Sequence, residues 1–285
     1  MDLAVFERHR PRMFGVAYRM LGSVADTEDV VQEAFIRWRD ADVEEIREPA
    51  AWLTTVVTRL CIDQLKSARA RRERYVGPWL PEPLLGEAGE APDASVAAEL
   101  SDSLSMAFLV VLEELTPTER AAFLLREVFG YGYAEIAELL GSSEAGCRQL
   151  AHRARERVAE RRKRFEADKE KQRELLSRFL FAIGSGEVDA LVELLAGDAV
   201  LYTDGGGAAK AARRPIFGAD RIARFTVGVT KDIPEGAESQ VVDVNGSPGL
   251  LIRVDGKPWC VIAADAADDR IQSIYIVLNP EKLRA

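Results

Sequence analysis

Histidine is nearly absent from this 285-residue chain: His9 and His152 are the only two, too few for a His-based metal centre. Cysteine is scarce as well. Cys61, Cys147 and Cys260 are far apart and odd in number, which fits neither a disulfide framework nor a zinc site and points to a reducing cytosol. Neither metal nor other cofactor is expected. No apolar run approaches the roughly 18 residues that would span a bilayer. The opening stretch Met1–Arg12 is charged throughout, unlike a signal peptide. These absences predict a cytoplasmic protein with no membrane partner. One further absence is local: residues 76–114 hold eight acidic side chains and no Lys or Arg.

That local absence changes the meaning of the whole-chain charge. Hydrophobic content of 47% is ordinary for a globular protein, and the length suggests two or three domains. A formal charge of -9, taken alone, argues against nucleic acid. Yet residues 1–75 carry 13 basic and 13 acidic side chains, and residues 115–174 carry 13 and 11. Nearly all of the acidity therefore belongs to one Pro-, Gly-, Glu- and Ala-rich segment, which is predicted to be a linker. Within it, Trp79-Leu80-Pro81-Glu82-Pro83 would leave apolar surface in water if it were a solvated tether. The pentapeptide is expected to dock on a folded surface.

Residues 1–75 are predicted to be helical. Asp26 is a candidate N-cap for the stripe Val30, Val31, Ala34, Phe35 and Trp38. Pro49 opens a second helix that buries Leu53, Val56, Val57, Leu60, Cys61 and Leu65 and ends among Lys66, Arg69, Arg71, Arg72 and Arg74. Residues 113–165 are predicted to be helical too, from the capping box Thr116-Pro117-Thr118-Glu119 onward. Residues 175–285 change character. Helices at about 170–183 and 188–195 precede strand-like runs at 199–203, 240–244, 250–254, 259–264 and 271–278, with Asp255-Gly256 as a hairpin signal. This predicts an α+β domain with a mostly antiparallel sheet.

Ala134–Arg153 has helix-turn-helix spacing. A short helix carries Ile136, Ala137, Leu139 and Leu140 inward, Gly141 ends it, and Ser142-Ser143 cap the next helix. That second helix buries Cys147, Leu150, Ala151, Ala154 and Val158. Its other face presents Glu144, Arg148, Gln149, His152, Arg153 and Arg155. Arg and Gln pair bidentately with guanine and adenine edges, and Glu accepts from cytosine. Residues 148–164 hold eight basic and two acidic side chains, a local phosphate-binding patch.

In combination these motifs resemble the extracytoplasmic-function (ECF) sigma factors of the sigma-70 class. Residues 26–35 look like their region 2.2, Pro49-Ala50-Ala51-Trp52-Leu53 and the basic helix end like regions 2.3 and 2.4, and residues 115–120 with the helix-turn-helix like regions 4.1 and 4.2. The rarer pieces are similar to the SigJ-like subgroup, which carries a SnoaL-like C-terminal α+β cone on a curved sheet. They are residues 79–83, Asp204-Gly205-Gly206-Gly207 and Asn245-Gly246-Ser247-Pro248-Gly249. The subgroup usually has Lys directly after the Gly run; here Ala208-Ala209 intervene before Lys210.

The resemblance implies four segments: sigma region 2 at 1–75, the linker at 76–112, sigma region 4 at 113–168 and a SnoaL-like regulatory domain at 169–285. Asp26, Asp29, Val30, Val31, Gln32 and Glu33 then face core RNA polymerase, with the Val residues also in the domain core. Arg37, Trp38 and the loop 40–48 serve the -10 element of promoter DNA, with Arg59, Lys66 and Arg69 near phosphates; the phase of Trp52 favours burial. Glu144, Arg148, Gln149, His152, Arg153 and Arg155 serve the -35 element. Regulatory contacts within the chain are expected from Trp79, Leu80, Pro81, Glu82 and Pro83, from Asp204, Gly205, Gly206 and Gly207, and from Asn245, Gly246, Pro248 and Gly249. With the regulator fused, no separate anti-sigma factor is expected. Two other readings stay open: a small-molecule enzyme or sensor on a DNA-binding module, with Tyr202, Asp204, Arg214 and Trp259 as pocket candidates, and a free helix-turn-helix repressor.

Overall fold

The computed structural model describes residues 3–42, 46–72, 75–86, 104–162 and 169–283. They fall into two compact units: 3–72 with 109–160, and 75–86 with 104–108, 161–162 and 169–283. The linker stretch 75–86 therefore belongs to the C-terminal unit.

The first unit is helical. Helices α1 (Leu3–Leu21), α2 (Val24–Asp40) and α3 (Pro49–Arg72) pack on one another through Phe6, Met13, Val16, Val30, Val31, Trp38, Leu53, Val57 and Cys61, all buried. The N-cap of α2 is Ser23 rather than Asp26: its hydroxyl accepts from the Asp26 N–H at 3.3 Å, and Asp26 sits in the first turn, where a carboxylate complements the helix dipole. After α4 (Met106–Leu112), α5 (Pro117–Phe123) opens on the predicted capping box: Thr116 accepts from the Glu119 N–H at 3.3 Å, and Glu119 accepts from the Thr116 N–H at 3.1 Å. A π turn, Leu124–Val128, continues it. Helices α6 (Tyr133–Leu140) and α7 (Glu144–Arg162) form the helix-turn-helix. Gly141 between them takes a left-handed φ of 61°, which a glycine adopts at little cost.

In the second unit, α8 (Lys169–Ser185), α9 (Val188–Leu194) and α10 (Ala219–Val229) accompany seven strands. These are β1 (Leu85–Gly86), β2 (Leu195–Asp204), β3 (Ile216–Phe217), β4 (Glu238–Val244), β5 (Ser247–Val254), β6 (Lys257–Ala267) and β7 (Arg270–Val277), in the sheet order β1-β4-β5-β6-β7-β2-β3. Leu175, Phe179, Leu191 and Ile222 from the helices meet Leu201, Leu250, Ile262 and Ile274 from one sheet face. The hairpins at Asn245-Gly246, Asp255-Gly256 and Asp268-Asp269 have positive φ at both residues, as type I′ turns require. The sheet is mixed: β2 pairs in parallel with β7, because α10 and the intervening hairpins return the chain to β2 in the same direction. The α+β class stands and the sheet is mostly antiparallel, as expected, with β2–β7 as its one parallel pair among the described strands.

Candidate functional site

Helix α2 shows how one helix serves both a core and a surface. Val30, Val31 and Ala34 are buried, while Asp29 and Gln32 are exposed. Val31, Gln32 and Phe35 line an open cleft of about 320 Å³ with Leu3, Phe6 and Arg10. Glu33 pairs with Arg37 at 2.9 Å one turn on. Trp38 is fully buried, edge-on to Trp52 at 5.7 Å between ring centroids. The assignment of Trp38 to DNA is thus corrected: helical phase puts the indole in the core, out of reach of a base. Lys66 is exposed and pairs with Asp63. Residues 43–45 and the side chain of Arg69 lie outside the described residues.

On α7, Glu144, Arg148, Gln149, His152, Arg153 and Arg155 are all exposed, and Cys147, Ala151, Ala154 and Val158 are buried. Arg148 bonds Glu144 at 2.9 Å and stacks on Tyr133. Arg155 bonds Glu127 at 2.5 Å. Glu119 has a second task beyond its capping box: it accepts from Arg153 Nε at 3.2 Å and from Arg157 at 3.1 Å, with its side chain only 5% exposed. Burial raises its carboxyl pKa, but the Thr116 bonds and the two arginines outweigh that and hold it below the ordinary value.

Arginines also join the N-terminal helices to the helix-turn-helix. Arg59 of α3 donates to the carbonyls of Leu139 (2.9 Å) and Glu138 (3.3 Å), at the C-terminal end of α6, where the dipole is negative. Arg120, fully buried, donates to Met20 O at 2.5 Å and Glu113 at 2.7 Å. Burial lowers its pKa to about 9, so it stays charged at neutral pH.

The second unit centres on the buried carboxylate of Asp204, at the end of β2. It accepts from Tyr75 Oη (2.5 Å), Leu80 N (2.8 Å), Gly206 N (3.0 Å) and Lys282 Nζ (2.7 Å). Lys282 also donates to Leu80 O and lies 4.1 Å from the Trp79 ring centroid, while Asn279 donates to Tyr75 Oη at 2.9 Å. Burial and the adjacent carboxylate both raise the Tyr75 pKa, keeping it a neutral donor. Leu80, Pro81 and Pro83 are buried. One step along, Leu84 N donates to the Asn245 side chain, Leu84 O accepts from Asn245 N, and β1 pairs with β4. Gly206, at φ 60°, has the Asn279 side chain where a Cβ would stand, so a side chain there would displace it.

The chain matches the sigma-70 region 2 family over residues 5–71 and the sigma-70 region 4 family over residues 105–158. It is 39% identical to the ECF RNA polymerase sigma factor SigJ of Mycobacterium tuberculosis, covering 99% of this chain and 93% of that protein. The chain belongs to the ECF sigma factors. A second relative from that organism, named as a probable ECF RNA polymerase sigma factor SigI, is 34% identical over 98% of this chain and 94% of its own length. The crystal structure of the M. tuberculosis SigJ superposes with a TM-score of 0.80 at 38% identity, covering 99% and 98% of the two chains. As an ECF sigma factor, the protein works with core RNA polymerase in promoter recognition and transcription initiation.

Within this sigma factor, sequence reasoning missed Tyr75, Asn279 and Lys282. Their partners lie far along the chain, and nothing local marks them. Lys210, beside the Gly run, is instead exposed and paired with Asp232. The four pocket candidates do not converge. By strand alternation Tyr202 and Asp204 lie on the sheet face away from the helices, Trp259 packs on the helix-side core, and Arg214 is exposed. Among the described residues no helix is long and apolar enough to cross a membrane.

Proposed function

We propose that the exposed side of α2, with Asp29 and Gln32 beside the cleft at Phe35, is the surface that meets core polymerase. The rest of the predicted set, Asp26, Val30, Val31 and Glu33, frames that surface. Acidic and amide groups around a small cleft of mixed apolar and charged lining, where Arg10 is already paired with Glu28, suit a basic helical partner. Arg37, Lys66 and Arg69 serve the -10 region. Arg59 joins them once it exchanges the α6 carbonyls for phosphate. The exposed α7 residues Glu144, Arg148, Gln149, His152, Arg153 and Arg155 engage the -35 element, through bases or phosphates. Asp29→Arg is expected to weaken core binding in a titration of labelled protein with core enzyme; unchanged affinity would remove the interface assignment.

The C-terminal unit, in the same reading, regulates initiation without catalysis and without a separate anti-sigma factor, in the cytoplasm. The observation that carries this is the Asp204 cluster: it binds the stretch joining regions 2 and 4 to the domain that follows them. Run-off transcription with core polymerase, comparing the full chain with one ending at residue 174, tests the role. Equal output from the two would sink it.

A further inference from the structure

The contacts of Glu119 reach further than helix capping. Its carboxylate sits on α5, yet it holds two arginines from the exposed side of α7, Arg153 and Arg157, whose side chains are 43% and 48% exposed. The bond to Arg153 uses Nε alone, so its two terminal nitrogens are not spent on Glu119. A carboxylate that takes one edge of a guanidinium fixes the direction of the remaining donors and removes the rotamer freedom an unbraced arginine would lose on binding. A negative charge beside a DNA-facing helix is otherwise unfavourable, since it repels phosphate. Its buried setting and four bonded partners, Thr116 N, Thr116 Oγ1, Arg153 and Arg157, make sense as an anchor for those arginines.

We propose that Glu119 is a positioning residue for promoter recognition, bracing Arg153 and Arg157 so that their outward guanidinium edges grip the phosphates flanking the -35 element. The contribution of these arginines is then one of register and strength. Base choice falls to Glu144, Arg148, Gln149 and His152, nearer the N-terminus of α7. The proposal rests on the reading of α7 as the -35 helix.

The test uses holoenzyme assembled from core polymerase and full-length protein, with promoter duplex selected by that holoenzyme from a pool randomised at the -35 element. Affinity is measured across a potassium chloride series, and thermal midpoints of the free proteins control for folding. Glu119→Gln keeps one oxygen acceptor, enough for the capping box in which both Thr116 groups bond a single oxygen, but removes the charge. It is expected to weaken binding by about tenfold, one charge-assisted bond, and to lower the salt slope by about 0.9 for each phosphate no longer engaged. In an Arg153→Ala, Arg157→Ala background the same change is expected to alter affinity less than about twofold, within the error of additivity. Equal weakening in both backgrounds would mean that Glu119 acts through the fold alone, and unchanged or tighter binding by Glu119→Gln would mean that it braces nothing; either overturns the proposal. Arg148→Ala separates the two layers. If it and the double alanine variant both leave affinity unchanged, the -35 reading itself falls and takes the proposal with it. If both weaken binding while Glu119→Gln does not, only the bracing falls.

Discussion

Asp204 and Lys282 show the energetics of a buried pair at the residue scale. Asp204 is fully buried and the Lys282 side chain only 10% exposed, so removing the lysine leaves a buried charge held by the neutral donors of Tyr75, Leu80 and Gly206 alone. Lys282→Met is expected to destabilise the C-terminal unit by about 3–5 kcal/mol, read as a lower denaturant midpoint. If the midpoint does not move, the pair is not the anchor described. A second carboxyl behaves in the opposite way. Asp265 on β6 is buried, its Oδ2 has no hydrogen-bond partner among the described residues, and burial raises its pKa to about 7 despite a bond from Tyr275. A carboxyl with a raised folded pKa is neutral at low pH, and its ionisation opposes the fold. The contribution of Asp265 to stability is expected to fall as pH rises from about 4 to 7 and then to level off. Asp265→Asn should flatten that slope and stabilise the protein at pH 8 by up to about 4 kcal/mol. A slope identical in the two proteins would refute this account. Asp204 was legible in the sequence as a residue beside a glycine turn. Lys282 was not, because an ion pair between positions so distant leaves no local pattern.

Elements were more legible than their partners. The capping box at Thr116 and Glu119, the left-handed Gly141 and the buried stripe of α7 follow from local chemistry, and the structure places each where spacing predicts. Thr116→Ala should cost about 1 kcal/mol, seen as a lower thermal midpoint of the helical unit; no change would mean the cap is dispensable. The start of α2 was off by one signal, since Ser23 takes the cap and Asp26 the dipole position. Trp38 shows the limit of reading a stripe: periodicity identified its face correctly, but family analogy drew an outward role from an inward residue. Strand β1 was illegible for a different reason. Two residues from a Pro-rich linker become a strand only because β4 offers an edge to pair with. The hairpin at Asp268-Asp269 lacks the glycine that marks its sisters, so its turn also escaped notice.

At the scale of the whole molecule, a charge of -9 first argued against nucleic acid. Its concentration in the linker leaves α7 and its flanks basic, and the linker's Trp79–Pro83 stretch is part of the C-terminal unit rather than a free tether. An acidic, anchored connection between regions 2 and 4 is expected to oppose binding to naked DNA until core polymerase engages the protein. Neutralising the linker glutamates should then raise affinity of the free protein for duplex at low salt; no gain would count against that role. On the proposed function, the C-terminal unit controls initiation through its hold on the linker. Run-off transcription by reconstituted holoenzyme on a selected promoter tests it most directly, comparing the native chain with a full-length Asp204→Asn, Lys282→Met variant whose region 2 and region 4 are untouched. Both proteins are expected to bind core polymerase equally while transcript yield changes several-fold, by an amount beyond the ordinary additivity error of about twofold. Equal yields, with the linker shown by protease cleavage to be released, would contradict it.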